Sequence, residues 1–495
     1  MKEKTDTDTS RPGEHPTSCR IEIQQQDAPP ITRAVILAAG QGNRLQSYQK
    51  GKPKPLITVG GLPLLKRTIL SAKKVGITEF VIVVGYQADI IIKSVKPGDL
   101  GVKITWVYNA DWQKPDGLSL SRAERFIDGP FLLFMADHIF DPHILKELKD
   151  IPVHRNCSVL CVDHDLSKVR NPGQSSKVRT RDNSVVDLGA KLQDFDAIAA
   201  GIIVCSARIF DALRKSQLGG DYSLLAGLRL LAKEGSIRSF DIGKHFWQDV
   251  NTESDAKHAE RLLLHSTRSE GDGFIAKTIN RKISNWITSG LLRTPIKPNH
   301  ISIFNFCLSV FTAWIISFGK PLTTIIGGIL FQLTSILDGC DGEVAKIKLQ
   351  DSKFGALIDT ITDHASYVIF IIGVTVGAFR ATKSPVIFYV AGATLLFLML
   401  ALPVAFRYIK KKGSASLREL DQGIAGLNHA SQKVWYLRFY GIVHHLGRRD
   451  LFSFVAAIIM LFGNITVFYW ALMGSVNLMS SGILIPALAL LSGTF

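Results

Sequence analysis

The sequence predicts two unlike parts in series: an α/β unit built on a wound, mainly parallel sheet, followed by an all-α membrane domain of six transmembrane helices. Three observations predict it. Short apolar runs alternate with helical stretches over residues 31–262, long apolar stretches are confined to the chain after about residue 299, and basic residues gather beside those stretches.

In the first part AVILAA (34–39), FVIVVG (80–85), KITWVY (103–108), FLLFMAD (131–137), SVLCVD (158–163) and IIVCS (202–206) read as strands. Each is short, rich in β-branched or aromatic residues and followed by helical sequence, the pattern of a sheet whose ligands sit beyond the carboxyl ends of its strands. Residues 1–30 are polar without an apolar run, so they read as a disordered segment and not as a secretory signal. Apolar stretches near 299–319, 321–337, 354–378, 385–406, 451–471 and 474–494 have the length a spanning helix requires. Pro298 and Asn299 form a start signal for the first of them. Residues 273–292 alternate apolar and basic positions at helical spacing and read as an amphipathic helix on the membrane surface. The resulting divisions are 1–30, a cytoplasmic domain over 31–265, a linker helix over 266–298 and a membrane domain over 299–495.

The 495-residue chain carries a formal charge of +16. It contains no nucleic-acid module, and much of the basic excess flanks apolar segments, as in a membrane-associated protein that handles polyphosphates. Segment 407–449 holds nine Lys/Arg (Arg407, Lys410, Lys411, Lys412, Arg418, Lys433, Arg438, Arg448, Arg449) against Glu419 and Asp421. The positive-inside rule puts this loop in the cytoplasm. Counting helices back puts the turn near Lys346, Lys348 and Lys353, and the N-terminal domain, on the same side. The six cysteines form no CxxC pair, so neither a zinc site nor a disulfide framework is indicated.

Four acids in the membrane half carry the clearest chemistry. Asp338 and Asp341 are three residues apart and Asp359 and Asp363 four apart, so each pair shares a helix face. Carboxylates beside hydrocarbon are expensive, and four that converge repel strongly unless a divalent cation holds them. Gly342, Ala345, Lys346 and Gly355 continue the pattern at fixed spacing. The whole resembles the CDP-alcohol phosphotransferase family, whose signature is D-x-x-D-G-x-x-A-R-x(8)-G-x-x-x-D-x-x-x-D. The one departure is Lys346, which keeps a positive charge where the family has an arginine but loses its bidentate fork. The resemblance implies that Asp338, Asp341 and Asp359 hold Mg²⁺ against the diphosphate of a CDP-alcohol. It further implies that Asp363 completes the metal cage and acts as base on the acceptor hydroxyl, and that Gly342, Ala345 and Lys346 lie against the nucleotide. Arg448 and Arg449 precede the fifth helix, either as binders of an acceptor phosphate or as membrane anchors.

In the first half, strand 34–39 runs into LAAGQGNRL and then KGKPKPLITVGG. Gly40 and Gly42 let backbone approach phosphate, while Arg44 and Lys54 bring neutralising charge. This combination resembles the nucleotide-sugar pyrophosphorylases, nucleotidyltransferases that activate sugar or polyol phosphates. The resemblance implies nucleotide contacts from Leu37, Ala39, Gly40 and Gly42, phosphate clamping by Arg44 and Lys54, and Mg²⁺ held by Asp137 and Asp249. It also implies base reading by Asp116, Gly117 and Ser119, and a sugar-phosphate side formed by Lys177, Lys191 and segment 195–201. The fold class thus becomes an α/β nucleotidyltransferase, Rossmann-like, ahead of the helical membrane domain.

From about residue 31 to the end, the domain order resembles the bifunctional inositol-1-phosphate cytidylyltransferase and di-myo-inositol-phosphate phosphate synthase family. That resemblance implies CTP and a polyol phosphate as substrates, a CDP-alcohol intermediate, release of pyrophosphate and then CMP, and a possible homodimer. Two alternatives stand at this point: a CDP-diacylglycerol-dependent phospholipid synthase fused to a nucleotidyltransferase, and a membrane-anchored nucleotide-sensing scaffold.

Overall fold

The structure, a computed structural model, describes residues 31–42, 51–149, 151, 156–170, 172–173, 175–268, 273, 275–411 and 449–491. The chain divides into two compact units, Met1–Ser266 and Thr267–Phe495.

Among the described residues the first unit holds a nine-stranded sheet. Its strands are β1 (Arg33–Ala38), β2 (Glu79–Val84), β3 (Lys103–Tyr108), β4 (Phe131–Met135), β5 (Ser158–Asp163), β6 (Lys177–Arg181), β7 (Ser184–Gly189), β8 (Ala197–Cys205) and β9 (Ile237–Asp241). They lie in the order β3-β2-β1-β4-β8-β5-β9-β7-β6. β3, β2, β1 and β4 run parallel, and β8 is antiparallel to β4 and β5 on either side of it. The expectation of a mainly parallel sheet is therefore corrected to a mixed one. The strands that sequence reasoning missed, β6, β7 and β9, lie together toward one edge of the sheet; β6 and β9 are polar at most positions, and Asp187 interrupts the apolar residues of β7. Asp182 and Asn183, both at positive φ, close the two-residue turn joining β6 to β7. Central strand β1 is buried along Ala34–Ala38, with an apolar cluster on each of its faces. Directly after β4, His138–Phe140 pairs antiparallel with Trp247–Asp249, opposing His138 to Asp249 and Phe140 to Trp247.

The described helices of the second unit include α1 (Arg281–Leu292), α2 (Pro298–Ile316), α3 (Pro321–Ile347), α4 (Lys353–Thr382), α5 (Val386–Lys411), α6 (Arg449–Leu461) and α7 (Ile465–Leu491). Three stretches, Pro298–Ile316, Pro321–Ile347 and Phe354–Thr382, are long and apolar enough to cross a membrane, and Val386–Phe397, Leu451–Leu461 and Ile465–Leu478 are shorter apolar helical segments. Helices α2 and α4 approach backbone to backbone: a Cβ at Gly373 would lie 2.5 Å from the Ala313 carbonyl oxygen, and one at Gly377 2.4 Å from that of Ile316. Small residues at such crossings are how helices gain contact where lipid removes the hydrophobic drive.

The fifth and sixth apolar stretches divide elsewhere than the sequence reading placed them. The break falls at residues 462–464, not near 472. Gly463, at φ +71°, ends α6, and the Asn464 side chain caps α7 by accepting from the amides of Thr466 and Val467 at 3.1 Å. A Gly-Asn pair inside continuous hydrophobic sequence was the overlooked signal.

Helix α1 turns its polar side inward. Glu343 of α3, 1 % exposed, accepts from Arg281 Nη1 at 2.6 Å, Ser284 Oγ at 2.7 Å and Thr288 Oγ1 at 2.6 Å, while Trp286 of α1 is 79 % exposed. Burying a carboxylate is tolerable only with such pairing, and removing one partner strands the other. Glu343→Ala is therefore expected to cost about 3 kcal/mol, seen as a lower midpoint of thermal unfolding in detergent; an unchanged midpoint would contradict the clamp.

Candidate active sites

In the first unit the end of β1 opens into a cavity of about 240 Å³ lined by Leu37, Ala39, Gly40, Gly42, Lys54, Trp112, Asp116, Ser119 and Asp137, among others. Gly42 has φ +68°, and a Cβ there would meet the Lys54 side chain at 2.8 Å, so the turn must be glycine for the lysine to pass beneath it. Lys54 Nζ donates to Asp137 Oδ2 at 2.5 Å and to Asn251 Oδ1 at 2.8 Å. Burial works to raise the pKa of Asp137, but the Lys54 ammonium and His138 outweigh it and hold the carboxyl far below its usual range. Asp116 shifts the other way: burial raises it against the opposing amide of Leu224. Ser119 Oγ accepts from Asn109 Nδ2 at 2.9 Å, fixing the helix that carries Asp116 and Gly117.

A second cavity, of about 180 Å³, shares Asp116 and Met135 with the first and adds His138, Ser175, Gly201, Trp247 and Asp249. Asp137 and Asp249 therefore stand at two adjoining spaces, one on the glycine-turn side and one beyond it. Asn251 links them, donating to Asp249 Oδ2 at 2.5 Å while accepting from Lys54. Lys177 and Lys191 line neither cavity; Lys177 lies 4.9 Å from the Phe195 ring centroid and Lys191 is exposed. Segment 195–201 largely forms the first half of β8, of which Ala199 and Gly201 reach the second cavity. Arg44 lies outside the described residues.

Sequence reasoning missed His138, Asn251 and Trp112. His138 Nδ1 lies 2.7 Å from Asp137 Oδ1, and its ring stacks on Trp247 with centroids 5.8 Å apart. The available signal was proximity: His138 follows one acid directly and Asn251 follows the other by two residues.

In the second unit Asp338, Asp359 and Asp363 present carboxylate oxygens all within 4.8 Å of one another, each partly exposed. Asp338 comes from α3 and the other two from α4. The turn between the helices contains Leu349 at φ +53°, and Ser352 caps α4 by accepting from the Gly355 amide at 3.0 Å. Asp341 is not in this three-membered group. Three residues advance a helix by 300°, so Asp341 lies about 60° around α3 from Asp338. It is 6 % exposed and accepts from Ser302 Oγ of α2 at 2.5 Å and from the Gly342 amide at 2.6 Å. Gly342 faces open space, Ala345 is half-buried, and Lys346 Nζ is 3.4 Å from the Thr267 carbonyl. Beside Asp363 a space of about 20 Å³ is lined by Ser309, Thr312, Ser366 and Tyr367, among others. That is room for a single water. Arg448 lies outside the described residues; Arg449 begins α6, but its side chain is not described.

Comparison with known proteins matches both halves. Residues 34–233 fit the MobA-like NTP transferase domain and residues 296–480 the CDP-alcohol phosphatidyltransferase family. A Rubrobacter xylanophilus protein named bifunctional IPC transferase and DIPP synthase is 34 % identical over 351 residues, covering 70 % of this chain and 77 % of its own length. This chain belongs to that family. A protein of the same name from Aquifex aeolicus is 33 % identical, covering 68 % of this chain and 74 % of its own, and one from Thermococcus kodakarensis is 30 % identical, covering 74 % and 79 %. The chain is thus a bifunctional transferase, with a nucleotidyltransferase domain ahead of a helical CDP-alcohol phosphotransferase domain of a membrane-bound family. The scaffold alternative falls with that finding.

Lys54→Ala removes the largest favourable charge at Asp137. Pyrophosphate release from nucleoside triphosphate is expected to fall roughly 100-fold or more, while CMP release from a supplied CDP-alcohol stays unchanged. Undiminished pyrophosphate release would contradict the clamp.

Proposed function

We propose that the chain performs two consecutive transfers. A phosphate oxygen of inositol-1-phosphate attacks the α-phosphorus of CTP, the α–β bridging bond breaks, and CDP-inositol and pyrophosphate result. A hydroxyl of an inositol phosphate then attacks the inositol-bearing phosphorus of CDP-inositol, its proton passes to a carboxylate, and CMP leaves. The observation that carries this reading is the meeting of Asp338, Asp359 and Asp363 at one point, in a chain whose other half holds a glycine-turn cavity with a lysine–aspartate pair.

At the first site the Gly40–Gly42 turn receives the triphosphate, Lys54 and Arg44 offset its charge, Trp112 walls the base, and Asp116 and Ser119 fix the helix beneath it. The adjoining cavity takes the polyol phosphate, with His138 and Asp249 along its side and Lys177 and Lys191 farther out. At the second site Gly342, Ala345 and Lys346 accommodate the cytidine diphosphate, Asp363 removes the acceptor proton, and Arg448 and Arg449 attract the acceptor phosphate.

The donors suit magnesium: oxygen ligands only, carboxylates at Asp338, Asp359 and Asp363 with Asp341 adjacent, and at Asp137 with Asp249. When bound, a Mg²⁺ ion held by these carboxylates would offset the negative charge that builds on the phosphate oxygens as the leaving group departs from phosphorus. Ionised Asp137 is ready for such a ligand role, since its neighbours keep it deprotonated.

We further read residues 31–265 as cytoplasmic, 266–298 as the linker and 299–495 as a six-span domain whose carboxylate cluster opens to the cytoplasm, where CTP is available. The polar inner face of α1 with Trp286 outward fits a helix at the membrane surface.

Purified protein given CTP, Mg²⁺ and inositol-1-phosphate is expected to yield a water-soluble phosphodiester by mass spectrometry; a chloroform-soluble product formed only with CDP-diacylglycerol would overturn the reading. Asp363→Asn is expected to lower the second transfer by about 10³-fold while CDP-inositol binding, measured by calorimetry, and pyrophosphate release persist. Full transfer activity in that variant would remove Asp363 from the mechanism.

A further inference from the structure

A second constellation of metal-ligating side chains lies in the first unit, apart from the nucleotide and polyol cavities. Asp141, His143 and His245 present ligand atoms all within 4.8 Å of one another. Asp141 Oδ1 is 2.7 Å from His143 Nδ1, and Asp141 Oδ2 is 2.9 Å from His245 Nδ1. The two imidazoles are nearly parallel, 12° apart, with centroids 5.9 Å apart. None of the three lines either cavity of the transfer site.

The chain builds this group from two separated segments. Asp141 directly precedes the helix Pro142–Lys149, and its Oδ1 also accepts from the His143 amide at 3.0 Å, which fixes the start of the helix. His245 comes from the turn after β9, where its amide bonds the Ile242 carbonyl at 3.1 Å. Glu147 follows His143 by four residues on the same helix face and accepts from His245 Nε2 at 2.9 Å. His245 is thereby held from both ring nitrogens, with its side chain 10 % exposed, while His143 at 71 % leaves a route from solvent.

We infer that Asp141, His143 and His245 form a binding site for a borderline transition-metal ion of the Zn²⁺ class, distinct from the sites that serve the two transfers. The donor set decides the class of ion. Two imidazoles and one carboxylate suit Zn²⁺, Co²⁺ or Ni²⁺, whereas Mg²⁺ prefers oxygen alone. Glu147 holds the far nitrogen of His245, as carboxylates do for metal-bound histidines, fixing the ring's orientation and tautomer. Tetrahedral zinc bonds of about 2.0–2.1 Å set ligand atoms about 3.3 Å apart. Loading therefore displaces the protons that Asp141 shares with the two rings and opens those contacts by about half an ångström.

The placement gives the site a consequence. Asp141 follows His138–Phe140, and His245 precedes Trp247–Asp249. These are the two strands of the ribbon, and the Asp141 amide also bonds the Phe246 carbonyl at 2.9 Å. The far end of the same ribbon carries Asp137 and Asp249. A bound ion cross-links the ribbon at the end away from the chemistry, so it stabilises the segment that positions both carboxylates without touching substrate.

The test uses untagged full-length protein in detergent with excess Mg²⁺ to occupy the all-oxygen sites. Titration with Co²⁺ is expected to give one equivalent per chain with visible ligand-field bands that Zn²⁺ abolishes, and Zn²⁺ is expected to raise the unfolding midpoint of the first unit. His143→Ala, at an exposed position, is expected to weaken Co²⁺ binding about 100-fold and cancel the Zn²⁺-induced rise, with pyrophosphate release retained. Glu147→Gln is expected to weaken binding 10- to 100-fold. Absence of ligand-field bands in the unaltered protein would overturn the site, as would bands and affinity unchanged in His143→Ala.

Discussion

Like charge at close range is the constraint around which the second unit is arranged. Three carboxylates within 4.8 Å of one another repel unless a countercharge stands among them. Holding them there takes a rigid hairpin. Leu349 adopts a left-handed turn, Ser352 starts α4, and Gly373 and Gly377 lock α4 against α2 with no room for a side chain between. Ser302 and Glu343 complete the support on the neighbouring faces of α3, one holding Asp341 and the other tying down α1. Both of these acids, Asp341 and Glu343, are buried and hydrogen-bonded, whereas Asp338, Asp359 and Asp363 stay partly exposed.

The first unit meets a related problem with a different device. Against the effect of burial, the Lys54 ammonium and His138 hold the Asp137 carboxyl well below its usual range, and that lysine passes under a glycine that must stay side-chain-free. Asn251 then ties Lys54 to Asp249, so the two acids and the lysine form one hydrogen-bonded chain. The ribbon of His138–Phe140 and Trp247–Asp249 lies between Asp137 and Asp141 in one strand segment and ends at Asp249 in the other, opposing His138 to Asp249.

Much of this was legible in the residues. Asp359 and Asp363, four apart, share one helix face, and a short turn brings that face to Asp338 on the preceding helix; the glycine turn and Lys54 were legible from the strand running into them, and Asp137 from the family resemblance. What stayed hidden depended on geometry finer than spacing. Asp341 belongs to the same signature as Asp338, yet a three-residue step rotates it toward Ser302. Strands β6, β7 and β9, toward one edge of the sheet, lack the long apolar runs by which the central strands announce themselves. The break at Gly463 and Asn464 is a pair of capping residues inside uniformly hydrophobic sequence, where hydropathy alone has no contrast. His138 and the Asp141, His143 and His245 group depend on a pairing between residues about a hundred apart, which no local pattern displays.

The carboxylate cluster is best tested by locating a metal directly. Anomalous diffraction from crystals of the full chain grown with Mn²⁺ in place of Mg²⁺ is expected to show a manganese peak bonded to oxygens of Asp338, Asp359 and Asp363. Crystals without such a peak, or with those side chains turned away from one another, would contradict the account.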